Sequence, residues 1–560
     1  MFRLGHPVSV SVWPIQNRMF ECQPLKTLKE ATEWTTDSTC ISNKTKQSTV
    51  CLRKKRHIDE NIPKTLVCHD MRGGYLEDRY TQGDRDEKSY NFYHWQLIDT
   101  FVYFSHNFIT IPPVAWINAA HKNGVRILGT FITELDDGYA RCEEFLSSES
   151  SFQALADKLV TMTTYYRFDG WLINIENKIQ EEKVSMLCRF VRYLTVKLHE
   201  VLPGSLVIWY DSVISTGELK WQDQLNENNS MFFDACDGIF LNYCWNTEKL
   251  LNSKTNALSK NRPFDVYVGI DVFGRGCLGD GGFNTIEALQ AVRQNNLSAA
   301  IFAQGWVYEK YGKDNFIDNE NRFWDTLSDL CPTSLWSNCS VSTSFCLGAG
   351  QNFYVNGHVL SDITWYNLNV QEVQPFYRRK QSQSQNPLQA FGLEPCFDCA
   401  YLGGSCLKYQ GELPCDNTPQ LFRLFDLDIK CSESYILSFT YKTKGDNYVF
   451  MEMEGNKNGE KKRFLFSADT TSYGEFNTLN DNRMLGTSNS DSSIEIKRHE
   501  NVLMYPQPIE DVLKNMNKSL SLPEKDNDWE TRWYTLDSNL VDSLELTILF
   551  QMVHLRFKSC

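Results

Sequence analysis

Between Pro63 and about residue 335 the chain repeats one short theme eight times, and this repetition constrains the fold more than any other feature. The theme is an apolar run rich in β-branched and aromatic residues that ends in polar ones. The runs are TLVCHD (65–70), FVYFSH (101–106), ILGTFIT (127–133) and GWLINIEN (170–177), followed by LVIWYDS (206–212), GIFLNYCW (238–245), DVYVGIDVF (265–273) and AAIFAQGW (299–306). Between several of them the apolar period changes to that of a helix. Phe152, Leu155, Leu159 and Met162 form one stripe before the fourth run, and Leu187, Phe190, Leu194, Leu198 and Val201 form another before the fifth. Strand, helix, strand implies parallel strands joined by crossovers. Eight such units in about 250 residues predict a closed (β/α)8 barrel over 63–335. The rival, an open doubly wound sheet, lacks a Gly-x-Gly-x-x-Gly turn after the first run.

The flanks read differently. Residues 1–62 are polar and weakly patterned, with six Lys/Arg and no acid from Lys44 to Arg56, and are expected to be a flexible lead-in. Its basic tract CLRKKRH (51–57) is read as solvated charge rather than an import signal. Beyond residue 335 short strands prevail: YILSFTYKT (435–443), with Tyr435, Leu437, Phe439 and Tyr441 on one face, then YVFMEME (448–454), WETRWYTL (529–536) and LELTILF (544–550). An all-β accessory region is expected over 336–560, a jelly-roll-like sandwich with at most an incomplete second β-domain. RRKQSQSQNP (378–387) reads as a loop within it.

Composition narrows the partners. A net charge of −14 argues against a nucleic-acid groove or an anionic membrane surface. No apolar run reaches the ~18 residues a membrane span needs, and the opening MFRLGHPVSVSVWPIQNRMF lacks the apolar core of a secretory signal. Eighteen cysteines without regular spacing point to a reducing compartment, the cytosol, where the sequons at Asn43, Asn228, Asn296, Asn338 and Asn517 carry no glycan. No cofactor is expected, and no metal: the ten histidines are dispersed, and Cys396, Cys399, Cys406 and Cys415 match no standard zinc spacing and read as free thiols.

In such a barrel the site lies where the strands end. Polar residues collect there: His69 and Asp70, Ser105 and His106, Thr133 and Glu134, Asn174 and Glu176, Tyr210 and Asp211, then Asn242, Tyr243 and Trp245, Asp271 and Phe273, Gln304 and Trp306. A polar bowl rimmed by aromatic rings suits a carbohydrate. Asn174 and Glu176 stand two apart, so on a strand they face the same way. Most glycosidases use two carboxyl groups; here the second group is an amide, which is neither nucleophile nor base near neutral pH. One solution is substrate assistance, in which the sugar's 2-acetamido oxygen attacks the anomeric carbon. Glu176 would then be the general acid and base, with a raised pKa, and Asn174 would orient the acetamide. Taken alone, Glu176 reads equally well as a buried, ion-paired carboxylate.

FDGWLINIEN (168–177) resembles the signature of the endo-β-N-acetylglucosaminidases of glycoside hydrolase family 85. It also aligns with the chitinase pattern Phe-Asp-Gly-x-Asp-x-Asp-x-Glu, with Leu172 and Asn174 in place of two aspartates, which disfavours a chitinase. The resemblance extends over CHDMRGGYLEDR (68–79), FYHWQLIDTFVYFSH (92–106), LGTFITE (128–134), WYDSV (209–213), FLNYCW (240–245), VYVGIDVFGRG (266–276) and FAQGWVYE (302–309). YLGGSCL (401–407) and RWYTL (532–536) carry it into the β region. It implies retaining cleavage between the two core N-acetylglucosamines of N-glycans through an oxazolinium intermediate, with transfer to other acceptors. It assigns Asn174 to the acetamide, Glu176 to acid/base work and Tyr210 to assistance at the reacting centre. Trp245, Phe273 and Trp306 are expected as sugar platforms, beside Asn242, Tyr243 and Asp271. The expected partners are N-linked glycans, free oligosaccharides and glycopeptides. The rivals are a non-catalytic glycan-binding protein and a chitinase-like hydrolase on the same barrel, or a scaffold that uses the β region.

Overall fold

In a computed structural model of the chain, all eight expected strands form and close into one ring. The structure describes residues 21–36, 47–57, 61–332, 334–337, 341–377, 379–380, 391–410, 420–430, 434–443, 447–467, 500–507, 528–536, 539–540 and 543–554. The barrel strands are β1 (Thr65–His69), β2 (Thr100–Tyr103), β3 (Arg126–Glu134), β4 (Gly170–Glu176), β5 (Leu206–Tyr210), β6 (Gly238–Leu241), β7 (Val266–Asp271) and β8 (Ser298–Phe302). Each pairs in parallel with its neighbours, β8 returns to β1, and β2 closes on β3 with Thr100 opposite Arg126.

Strand alternation sorts the side chains into two apolar clusters. Leu66, Cys68, Val102, Leu128, Leu172, Ile208, Phe240 and Ala300 fill the barrel interior. Their neighbours Val67, Phe101, Ile127, Trp171, Ile173, Val207, Trp209, Ile239 and Ile301 face outward into the layer beneath the helices. Both predicted helical stripes lie on helices, Glu149–Tyr166 and Glu181–Val201. All of their named residues are buried except Val201, which ends its helix and is 53% exposed. Between β1 and β2 the described chain forms only two 3-10 turns, Glu77–Arg79 and Trp95–Leu97, and the rings of Phe92, Trp95 and Trp116 close that side.

The first half of the FDGWLINIEN motif is structural. Asp169 accepts hydrogen bonds from His121 Nε2 and the Ile127 backbone N–H, both at 2.8 Å, and so ties the start of β4 to β3. Gly170 follows at φ +141°, where a Cβ would lie 1.8 Å from the Leu206 carbonyl oxygen. Only glycine fits.

Two described parts of the N-terminal lead-in correct the expectation of low structural content. Leu28–Glu33 is a helix closed by a reciprocal cap between Thr27 and Glu30. Leu28, Ala31 and Trp34 are buried, with Trp34 against Tyr165 and Tyr166. Part of the basic tract, Lys55–His57, is a strand antiparallel to Ser334–Trp336, and Lys55 donates to the Trp95 carbonyl instead of standing free in solvent.

That pairing starts the accessory region. One seven-stranded sheet runs in the order Lys55–His57, Ser334–Ser337, Gln420–Lys430, Ser543–His554, Asn447–Lys457, Glu460–Ser467, Glu500–Met504. Tyr435–Tyr441 pairs with Glu530–Leu536, and Phe391–Cys396 with Cys406–Gln410. Trp336, Leu427, Met451 and Phe466 from the large sheet share one apolar core with Leu393, Tyr534 and Leu536 from the smaller ones. Arg379–Lys380 forms a short strand, and the rest of the RRKQSQSQNP stretch lies outside the described residues. The region is fastened to the barrel by buried amides. Gln371 accepts from the Trp95 indole N–H and donates to Asn91 Oδ1, both at 2.7 Å, while the Gln374 backbone N–H donates to Asn123.

Candidate active site

The C-terminal strand ends surround a cavity of about 270 Å³. It is lined by Cys68 of β1 and Asp70 just after it, Phe104 and His106 after β2, and Leu172, Asn174 and Glu176 of β4. Tyr210, Trp221, Phe240, Asn242, Tyr243, Asp271, Arg275 and Phe302 complete the wall. Leu172, Asn174 and Glu176 alternate with outward-facing Ile173 and Ile175, which the helix layer buries. Tertiary packing on one face of β4 therefore decides which face meets the cavity.

Asn174 is 3% exposed, and its Nδ2 donates to Glu176 Oε2 at 3.2 Å. Its carbonyl oxygen, Oδ1, is buried with no hydrogen-bond partner. An unmet buried acceptor costs about 1–3 kcal/mol, so a partner from a ligand would be worth that much. Burial raises the pKa of Glu176, Glu134 adds to the rise, and the hydrogen bonds from Asn174 and Trp221 together with His106 work against it. Glu134 faces Glu176 across the β3–β4 ladder and bonds His106 Nδ1 at 3.2 Å, and that contact raises the His106 pKa.

Tyr210 is set by a relay of polar contacts. Its hydroxyl donates to Asn242 Oδ1 at 2.9 Å, and Asn242 Nδ2 donates to Asp223 Oδ1 at 2.6 Å. Lys249 holds the other Asp223 oxygen at 2.6 Å. The Tyr210 proton thus points to Asn242, while the Tyr243 side chain donates a hydrogen bond to the Tyr210 oxygen. Asp211, fully buried with its pKa pushed up to about 7 by desolvation, accepts from the Gln222 and Asp223 backbone N–H groups and from Asn229. It clamps the loop at the two residues that follow Trp221. Asp271 is held by Arg275 through two bonds, Nε–Oδ2 at 2.7 Å and Nη2–Oδ1 at 3.1 Å.

Six of the nine site residues expected from sequence come together here: Asn174, Glu176, Tyr210, Asn242, Tyr243 and Asp271. Trp245 does not, and its platform role is corrected. It is 7% exposed in the outer core, with its indole N–H bonded to the Gly269 carbonyl at 2.7 Å. Phe273 is 40% exposed beneath the Arg275 guanidinium, and Trp306 packs edge-on against Phe283 and Tyr311; neither lines the cavity. Gln304 and His69 bond each other in the core, and burial holds the His69 pKa down at about 3. Sequence reasoning missed Trp221 and Arg275. A tryptophan within the polar stretch GELKWQDQ, 44% exposed on its loop, was the available signal for the first.

Comparison with known proteins gives the family. Residues 75–353 match the family described as Glycosyl hydrolase family 85. The chain is 44% identical over 435 residues to a protein of Danio rerio named "Cytosolic endo-beta-N-acetylglucosaminidase", covering 77% of this chain and 60% of that one. Proteins of the same name are 48% identical in Gallus gallus, covering 63% of this chain and 47% of that one, and 45% identical in Homo sapiens, covering 70% and 52%. The chain thus spans about half to three-fifths of the length of these curated relatives. The crystal structure of the glycoside hydrolase domain of Endo-D from Streptococcus pneumoniae R6 superposes with a TM-score of 0.69 at 20% identity, covering 95% of this chain and 80% of that one, a likeness of fold. A closed barrel with Asn174 and Glu176 at its mouth, within a stretch matched to that family, makes this chain a member of glycosyl hydrolase family 85.

Proposed function

We propose that the barrel, 63–335, is an endo-acting glycoside hydrolase that cleaves the β-1,4 bond of the N,N'-diacetylchitobiose core of N-glycans, with retention, and that 336–560 is its accessory β region. The name borne by the curated relatives supports this reading. One observation carries it: a buried, unpartnered amide oxygen on Asn174 beside a carboxyl whose burial favours the protonated form.

The chemistry follows from those two groups. The Asn174 N–H bonds Glu176 Oε2, and the protonated Glu176 carboxyl gives its proton to the departing glycosidic oxygen. The acetamide N–H of the cleaved sugar donates to Asn174 Oδ1, so the acetamide oxygen is aimed at the anomeric carbon and gains electron density as the N–H polarises. Bond formation from that oxygen expels the leaving group and gives the oxazolinium ion, with no enzyme nucleophile. Glu176, now a carboxylate, removes a proton from water as the water opens the ring. Tyr210 stands at the same wall, with its hydroxyl held by Asn242. The substrates are N-linked glycans, free oligosaccharides and glycopeptides. The compartment is the cytosol, a reading supported by the relatives' name and by free thiols at every described cysteine.

The test is a fluorescent high-mannose glycan bearing both core N-acetylglucosamines. Cleavage leaving one sugar on the label is expected, with Glu176→Gln inactive. Asn174→Ala is expected to lose activity on that glycan yet still turn over a preformed sugar oxazoline. Binding without turnover by the unmodified chain would instead establish a lectin on this barrel.

A further inference from the structure

Away from the barrel mouth, three thiols converge at one end of the accessory hairpin. Strand Phe391–Cys396 ends, and strand Cys406–Gln410 begins, on a directly paired residue couple, Cys396 opposite Cys406. Cys399 sits in the connecting turn. The three sulfur atoms all lie within 4.8 Å of one another. This separation suits sulfurs arranged around one ion, because Zn–S bonds of ~2.3 Å at tetrahedral angles put sulfurs just under ~4 Å apart.

The local backbone is shaped for thiolate. The N–H groups of Asp398 and Cys399 both donate to the Cys396 sulfur, as does the Cys406 thiol. Backbone N–H groups turned toward a sulfur stabilise its anion. Lys442, ion-paired with Asp528 at 2.9 Å, lies near Cys399. Cys396 is buried, while Cys399 and Cys406 are partly exposed, so one side of the triangle opens to solvent. A disulfide would use two of the sulfurs and strand the third in contact with it; an ion uses all three.

We propose that Cys396, Cys399 and Cys406 bind one Zn²⁺ as three thiolate ligands, with the fourth position open to water. Soft sulfur donors select zinc over hard cations. The spacing C-x2-C-x6-C matches no standard pattern because strand pairing, not sequence proximity, brings Cys406 to the other two. The ion would pin the Phe397–Ser405 turn. That turn grips the segment beside it: the Gly404 N–H donates to Cys346 Sγ at 3.3 Å, and the Leu347 N–H donates to Ser405 Oγ at 2.8 Å. The Leu347 carbonyl in turn accepts from Asn91 on the barrel side, at 2.6 Å. The site is therefore structural, a rivet between hairpin and barrel.

The full chain, purified under reducing conditions, is expected to hold about one zinc per chain by mass-spectrometric metal analysis. The variant with Cys396, Cys399 and Cys406 all changed to serine is expected to lose that zinc. A chelator should lower the melting temperature of the unsubstituted chain but not of the variant. If the variant fails to fold, Co²⁺ added to the chelated native chain gives a second test, with a sulfur-to-cobalt absorption band and a tetrahedral visible spectrum expected. Zinc should also slow alkylation of these three cysteines in peptide mapping. No metal uptake and no cobalt band would overturn the proposal, as would zinc unchanged in the triple variant or a Cys396–Cys406 disulfide in protein handled under reducing conditions.

Discussion

Asn174 gives one amide hydrogen to Glu176, at 3.2 Å, and keeps its carbonyl oxygen buried without a partner. The two side chains act as one unit because strand alternation puts them on one face and the barrel removes that face from water. The amide satisfies one carboxyl oxygen while its own acceptor waits. An interior that had evolved for stability alone would have filled that acceptor.

Opposed pH profiles should follow from Glu176. Its raised pKa keeps the proton on to a higher pH than an ordinary carboxyl. Glycan cleavage needs the acid, so kcat/KM should fall as pH rises through that value. Hydrolysis of a preformed oxazoline needs the carboxylate, so it should rise through the same value. In Asn174→Ala, which loses an N–H bond that lowers the Glu176 pKa, the oxazoline profile should shift to higher pH. Parallel profiles for the two substrates would contradict the acid and base roles of Glu176.

Asp211→Ala removes the acceptor that holds the Gln222 and Asp223 backbone N–H groups. The donors left without it, these two and the Asn229 amide, should cost about 2–4 kcal/mol in all, read as a lower denaturation midpoint. The Trp221 loop loses its anchor, so KM for glycan should rise more than kcat falls. A variant with full stability and unchanged KM would show that the clamp is dispensable.

At the start of β4, Gly170→Ala places a methyl group 1.8 Å from the Leu206 carbonyl oxygen, at φ +141°. No rotamer relieves a Cβ clash, so β4 and β5 must separate. Loss of soluble protein, or a destabilisation beyond about 4 kcal/mol, is expected in thermal melts. Wild-type stability in this variant would mean that the two strands are not paired as described here.

Glu320 is fully buried beneath Trp324, with its pKa pushed up to about 8 by desolvation against an ordinary value of 4.5. Between those values the folded chain holds a proton that the unfolded chain releases. Raising pH through this window should therefore reduce stability. Glu320→Gln carries no such proton, so its melting temperature should decline less from pH 5 to 8 than that of the unsubstituted chain. Parallel declines would show that this carboxyl does not titrate as described.

Much of the barrel was legible because its signal is local. Short apolar runs such as LVIWYDS and the stripe from Phe152 to Met162 encode strand and helix within a few residues. Asn174, Glu176 and Tyr210 were legible because a strand end in a barrel has one place to point. Trp245 misled because the side on which a residue falls after a strand ends depends on how the loop turns. Here the loop sent the ring outward under Gly269. Trp221 was illegible for the converse reason: it belongs to the site only because Asp211, at the end of the preceding strand, folds its loop back.

The sequence by itself determined the eight barrel strands, their order, and the amide–carboxyl pair, since all of these depend on spacing along a few residues. Tertiary structure alone decided which face of β4 meets the cavity, which aromatic rings reach it, how part of the N-terminal lead-in joins a sheet with Ser334–Trp336, and that Cys406 stands beside Cys396. Those outcomes rest on contacts between residues far apart in the chain, and no local pattern carries a long-range contact.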